Sequence, residues 1–191
     1  MDKKTILELA QKLFEAETTH KPIPPFTETT HPNMTVEEAY KIQLAAVDLK
    51  IKAGQTVVGK KIGLTNIAVQ KARGISEPDY GFIMDVVMGN QDVPFKLSEL
   101  MSSPFIECEL AFVLKKDLKG PGVTSAAVIE ATEGVIPAFE IIERRFSPMC
   151  KSIKDSICDN AACGKVVLGS KMTPPANLDF RTIGLLVEKN R

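Results

Sequence analysis

The hydrophobic period of the chain changes once, near residue 55, and that change limits the folds open to it. Before it, apolar residues recur at helical spacing. Residues 5–17 place Ile6, Ala10, Leu13 and Phe14 on one stripe. A second helix starts at Thr35, where Thr35 and Glu38 fit a capping box and Met34 and Ala39 fit the accompanying hydrophobic staple. Ala39, Ile42, Ala46 and Leu49 carry its apolar face, and Gly54 ends it. The intervening stretch 18–32, with four prolines, reads as a linker.

After residue 55 the period is two. TVVGKKIGL (56–64), IECELAFVL (106–114), VIPAFEII (135–142), 165–168 and 182–188 read as strands. Short helices fall at 66–73, closed by Gly74, and after Thr124 as far as Gly134, and 152–163 reads as a helix followed by a loop. Pro137 suggests an edge strand or a bulge. Pro78-Asp79-Tyr80-Gly81 has the composition of a turn. Helices first and strands after predict an α+β fold and argue against a doubly wound parallel sheet. The expected division is a helical N-terminal segment, 1–55, and a β-rich catalytic core, 56–191. The last strand ends at Lys189-Asn190, where a hairpin should open. A chain cut short within its fold is one reading, and self-association through the unpaired strand is expected.

Charge and residue usage exclude several classes of function. Lys+Arg and Asp+Glu both number 24, which leaves no footprint for a phosphate backbone or an anionic membrane. No apolar run approaches the roughly 20 residues that span a bilayer. The charged start, MDKKTILELAQKLFEAE, lacks the apolar core of a signal peptide, so a cytoplasmic location is expected. Cys108, Cys150, Cys158 and Cys163 form no C-x-x-C pair and read as free thiols. His20 and His31 are the only histidines, so acid–base work falls to carboxylates and lysines.

The strand 106–114 carries the best chemical signal. Glu107 and Glu109 share one face about 7 Å apart, from the strand rise. A solvated polar face and a cation site both fit the pair. Ala111 and Val113 continue the same face, and like charges at that spacing repel unless a cation or proton lies between them. Glu140 is the natural third ligand, an acid inside an apolar strand in phase with Ala138 and Ile142. Glu143, beside Arg144 and Arg145, reads as surface pairing. Three carboxylates and no histidine select a hard divalent ion, Mg²⁺ or Mn²⁺. Lys61, between glycines in an apolar run, suits carboxylate binding or proton transfer as well as plain solvation. The DNAACG segment (159–164) suits either a tight connection or a loop whose backbone and Asn160 approach a ligand.

GKKIGLT, EPDYG, IECELAFVL, VIPAFEIIERR and DNAACG occur in the order and spacing of the hydratase/decarboxylase family of aromatic meta-cleavage pathways. LKKDLKGPGVT and LLVEKN resemble its 2-hydroxypenta-2,4-dienoate (2-oxopent-4-enoate) hydratases in particular. The resemblance implies N-terminal helices on a mixed β-roll of the fumarylacetoacetase-like type, with further strands after EKN that this chain lacks. It implies Mg²⁺ or Mn²⁺ on Glu107, Glu109 and Glu140, with Lys61 and Asp79 catalytic and Asn160 in a pocket loop. The implied reaction adds water to 2-hydroxypenta-2,4-dienoate, giving 4-hydroxy-2-oxopentanoate. The alternatives are 4-oxalocrotonate decarboxylation and a truncated, partner-dependent fragment without activity. The expected partners are a small 2-oxo or 2-hydroxy acid, further copies of the chain and a related pathway decarboxylase, with neither nucleic acid nor membrane among them.

Overall fold

A computed structural model describes residues 1–100 and 104–190. Two compact units emerge. The first holds Met1–Met88, Phe95–Phe105 and Ile141–Lys165, and the second Gly89–Pro94, Ile106–Glu140 and Val166–Arg191. The change of hydrophobic period near residue 55 falls inside the first unit. Helices and strands are mixed, as an α+β reading requires.

In the first unit, helices α1 (Lys3–Thr19) and α2 (Val36–Lys52) pack together. Their caps explain where they start. Asp2 accepts the Thr5 amide at 2.8 Å, and Thr35 and Glu38 form the reciprocal capping box. Leu9, Leu13, Met34, Ala39, Ile42 and Ala46 bury the shared face. The proline-rich stretch is packed structure rather than a linker. Phe26 and Pro25 are buried, Phe26 meets Phe146 edge to face at 5.0 Å, and Ile23 bridges to Phe146. A buried phenylalanine contributes about 1.5–3 kcal/mol, enough to dock a segment with no regular hydrogen-bond ladder.

Strand β1 (Val57–Gly63) leads through α3 (Ile67–Arg73) to β2 (Asp79–Met84), with which it pairs antiparallel. Asp79 therefore begins a strand; the turn expected at 78–81 is displaced by pairing with Gly63. The other strands are β3 (Met88–Gly89), β4 (Phe105–Leu114), β5 (Thr132–Ile142) and β6 (Cys163–Leu168), in sheet order β3-β6-β5-β4. Helix α4 (Ser125–Ala131) stops at Thr132, so Gly134 lies in β5 and not at a helix end. Strand β5 is internal, which corrects the edge reading of Pro137. The Pro137 carbonyl still accepts the Gly169 amide at 2.8 Å.

Helix α5 (Ile153–Cys158) is capped by Ser152 and leads into the 159–163 loop. No strand forms at 182–188. Leu185, Leu186 and Val187 are exposed there, without the ladder partner that a strand needs. None of the four cysteines forms a disulfide. No helix among the described residues is long and apolar enough to cross a membrane.

Candidate active site

In the second unit, alternation along β4 puts Glu107 and Glu109 on one side of the strand, both exposed. Strand β5 is the neighbour of β4 and contributes Glu140, which is only 5 % exposed. One carboxylate oxygen from each of the three lies within 4.8 Å of the others. Three anionic groups at that separation repel strongly unless a cation or protons intervene. An all-oxygen set with two exposed members suits a hard divalent ion, so the donors present fit magnesium chemistry.

In the first unit, the β1–β2 pairing sets Lys61 opposite Gly81 and Asp79 opposite Gly63. Paired residues share a face, so Lys61 and Asp79 lie on one side of the hairpin as diagonal neighbours. Lys61 is half-buried, while Val58 and Ile62 on the other face stand exposed. Solvation is the default for lysine and burial for isoleucine, and here the order is reversed. Lys60, on the outward face, sits over the rings of Tyr80 and Phe82.

Asp79 is 2 % exposed. Its Oδ2 accepts the Ser156 hydroxyl at 2.9 Å, while Oδ1 has no hydrogen-bond partner among the described residues. Burying an unpartnered carboxylate oxygen costs on the order of 1–3 kcal/mol, so it persists where something else is to meet it. Gly63 makes the room, because a Cβ there would lie 2.3 Å from Asp79 Oδ1.

The loop after α5 is strained. Asn160, Ala161 and Ala162 take φ of 55°, 51° and 54°, three consecutive left-handed residues without a glycine. Each such residue costs roughly 1–2 kcal/mol, somewhat less for asparagine. Side chains hold the loop in place. The Asn160 amide donates to the Phe82 carbonyl at 2.8 Å and accepts the Phe82 amide at 2.7 Å. The Lys61 Nζ donates to the Ala161 carbonyl at 2.8 Å. A Cβ on Gly81 would come within 2.5 Å of the Asn160 carbonyl oxygen, so glycine is required there for close approach.

Behind the loop lies a buried charge network. Arg145 is 2 % exposed and pairs with Asp159, with Glu17 at 3.8 Å; Lys50 pairs with Glu17 at 2.7 Å. Burial works against the Arg145 charge, but Asp159 and Glu17 more than offset it and hold the guanidinium above its ordinary range. Burial pushes Asp159 up to about 6, opposed by Arg145. Arg145, which the sequence offers only as a neighbour of Glu143, is buried in this network. Arg145, Asp159 and Ser156 escape a reading of the sequence. The available signal was an arginine between the buried Ile141 and Phe146, too large a charge to bury without a countercharge.

Lys61, Asp79 and Asn160 belong to the first unit, and Glu107, Glu109 and Glu140 to the second. No family model matches the chain. It is 43% identical over 190 residues to a 2-hydroxypent-2,4-dienoate hydratase of Pseudomonas putida, covering 100% of this chain and 85% of that protein. It is 40% identical over 190 residues to a 2-hydroxyhexa-2,4-dienoate hydratase of Comamonas testosteroni, covering 99% and 72%. Among solved structures, a 4-oxalocrotonate decarboxylase from Pseudomonas putida G7, complexed with magnesium and adipate, superposes with a TM-score of 0.90 at 31% identity, covering 95% of this chain and 68% of that one. Identity of this order over nearly the whole chain, with the fold in agreement, places it plainly: the chain belongs to the family of 2-hydroxypenta-2,4-dienoate hydratases and related decarboxylases, whose hydratase members are hydro-lyases.

Proposed function

We propose that the chain adds water to 2-hydroxypenta-2,4-dienoate (2-oxopent-4-enoate), by way of the conjugated enone, to give 4-hydroxy-2-oxopentanoate in the meta-cleavage breakdown of aromatic compounds. The observation that carries this reading is the convergence of Glu107, Glu109 and Glu140. These three hold Mg²⁺, with Mn²⁺ as the alternative. When bound, the ion supplies a Lewis acid toward the carboxylate and keto oxygens of a 2-oxo acid.

The remaining work falls to side chains of the hairpin. Asp79 Oδ1, buried and without a hydrogen-bond partner among the described residues, takes the proton of the water that adds at carbon 4, while Ser156 fixes Oδ2. Lys61 Nζ holds and moves the proton of the dienol-to-enone isomerisation, anchored by the Ala161 carbonyl. Asn160 serves by holding the loop against β2, so that loop backbone faces the substrate. Decarboxylation of 4-oxalocrotonate needs the same electron sink but no directed water, and a buried acid at position 79 therefore favours hydration. The resemblance also supports a fumarylacetoacetase-like β-roll and a cytoplasmic homo-oligomer, alone or with a related decarboxylase.

The test follows loss of 2-hydroxypenta-2,4-dienoate by ultraviolet absorbance, with carbon dioxide release from 4-oxalocrotonate assayed in parallel. Chelation should abolish hydration and Mg²⁺ should restore it. Asp79→Asn should cost on the order of 10²–10⁴ in rate while metal binding survives. A metal-loaded chain that releases carbon dioxide and hydrates nothing overturns the reading.

A further inference from the structure

We infer that Arg145 is a positioning residue for the reaction: by gripping both ends of the 159–163 loop it sets the Ala161 carbonyl, and through it the Lys61 ammonium. The inference rests on the reading of Lys61 as a proton-moving group. It is carried by where the donors of Arg145 go. One guanidinium nitrogen donates to the Asp159 carbonyl at 2.6 Å and the other to the Cys163 carbonyl at 2.9 Å. These are the residues that bracket the three left-handed positions. Its Nε donates to the Asp159 carboxylate, and its own backbone amide points to the same carboxylate at 3.1 Å.

Only a planar fork with several fixed donors can hold two carbonyls and a carboxylate at once; an ammonium group cannot reproduce that spacing. Arg145 is itself fixed. Its carbonyl accepts the Ile23 amide at 2.9 Å, and the Ser147 amide returns to the Ile23 carbonyl at 2.9 Å. Midway between the gripped ends, the Ala161 carbonyl receives Lys61 Nζ at 2.8 Å. A shift of either loop end therefore moves the acceptor that orients the lysine. A buried ion pair by itself says little about function. Here two of the donors go to loop carbonyls instead of charges, which is an arrangement for setting backbone position.

The decisive variant is Arg145→Lys, which keeps a buried cation beside Asp159 and Glu17 but loses the fork. In the full chain with Mg²⁺, kcat for hydration should fall about 10–100-fold with KM changed less than about threefold. Hydrogen exchange should show lost protection of amides 160–163, with α1 and α2 unchanged. Arg145→Lys in a Lys61→Ala background should cost almost nothing further, because its effect passes through Lys61. Wild-type kcat in Arg145→Lys overturns the inference. Independent, multiplicative losses in the double variant also overturn it and leave the role of Lys61 intact. If Lys61→Ala alone retains full activity, the reading of Lys61 fails and the inference fails with it. Should Arg145→Lys lose activity only by unfolding, Arg145→Gln with osmolyte refolding is the second variant; recovery of full kcat there makes Arg145 purely structural.

Discussion

The two sets of site residues are built in opposite ways. The glutamates of β4 and β5 stand on regular strands, two of the three exposed, and strand alternation together with β4–β5 pairing brings them together. Lys61, Asp79 and the 159–163 loop are buried or half-buried, faced by glycines and fixed by hydrogen bonds between segments 77 to 100 residues apart. The first set is inexpensive to fold but carries three like charges close together. The second is sterically demanding, and its charges are buried. Substitutions should therefore separate them: changes on β4 alter ligand binding at little cost in stability, and changes under the hairpin alter stability and geometry together.

The largest effect is expected at Gly81. A methyl group there meets the Asn160 carbonyl oxygen at 2.5 Å and the Asn160 carbonyl carbon at 3.1 Å, and backbone cannot swing aside as a side-chain tip can. Gly81→Ala should cost about 3 kcal/mol, read as a lower urea midpoint with an unchanged m-value, together with faster exchange of the loop amides. The control on the other side is Glu107→Ala, which should move the midpoint of metal-free protein by less than about 0.5 kcal/mol. Equal losses in the two variants would erase the comparison.

Next comes the cluster itself. Glu109→Gln keeps the shape and removes one of three charges that lie within 4.8 Å of one another. Mg²⁺ affinity, measured by calorimetry, should fall well over tenfold, more than about 1.4 kcal/mol. Metal-free protein should be as stable as wild type or slightly more so, since a repulsion is relieved. Unchanged metal affinity would remove the carboxylates from the proposed ligand set.

How much of this was legible in the sequence follows from the same contrast. Glu107 and Glu109 are two residues apart, so a strand period alone puts them on one face, and Glu140 was found by its charge in an apolar run. The Thr35 capping box was equally local and matches the structure. Asp79 was misplaced in a turn because aspartate after proline is ordinary turn chemistry. Only the distant Gly63, which leaves space for its carboxylate, makes a strand residue of it. The strand expected at 182–188 has the right local pattern, but no strand ladder forms there among the described residues, and a strand is defined by its ladder. Phe26 looked like part of a linker because the ring that buries it, Phe146, lies 120 residues away. Three left-handed residues without a glycine leave no local mark at all; what holds them is Arg145, Asn160 and Lys61.

Asn160 offers a smaller test of that clamp. Asn160→Ala loses both bonds to Phe82 and places a less tolerant residue at a φ of 55°. The expected cost is about 2 kcal/mol by urea unfolding. Asn160→Gly loses the same bonds but relieves the backbone, so it should cost less than alanine. If the two variants are equally destabilised, strain is not part of how this loop is held.

The smallest effect separates the acids of the two regions by pH. Glu17 is half-buried, which by itself raises its carboxyl, but Arg145 and Lys50 beside it more than offset that and leave it below the ordinary glutamate range. A carboxylate depressed in the folded state binds its proton more weakly than in the unfolded chain. Its contribution is complete above the unfolded value of about 4.3 and is lost as pH falls through the lower folded value. Asp159 has the opposite sign. Burial lifts it to about 6, so the folded state holds the extra proton between about pH 4 and 6, and stability from this group falls as pH rises across that window. Wild-type stability measured by urea unfolding should therefore rise gently on acidification from pH 6 toward 4 and drop below that. Glu17→Gln should flatten the drop by about 1 kcal/mol and leave the trend between 4 and 6 in place. A variant with the full wild-type drop would show that the buried network around Arg145 does not set the acid limit of the first unit.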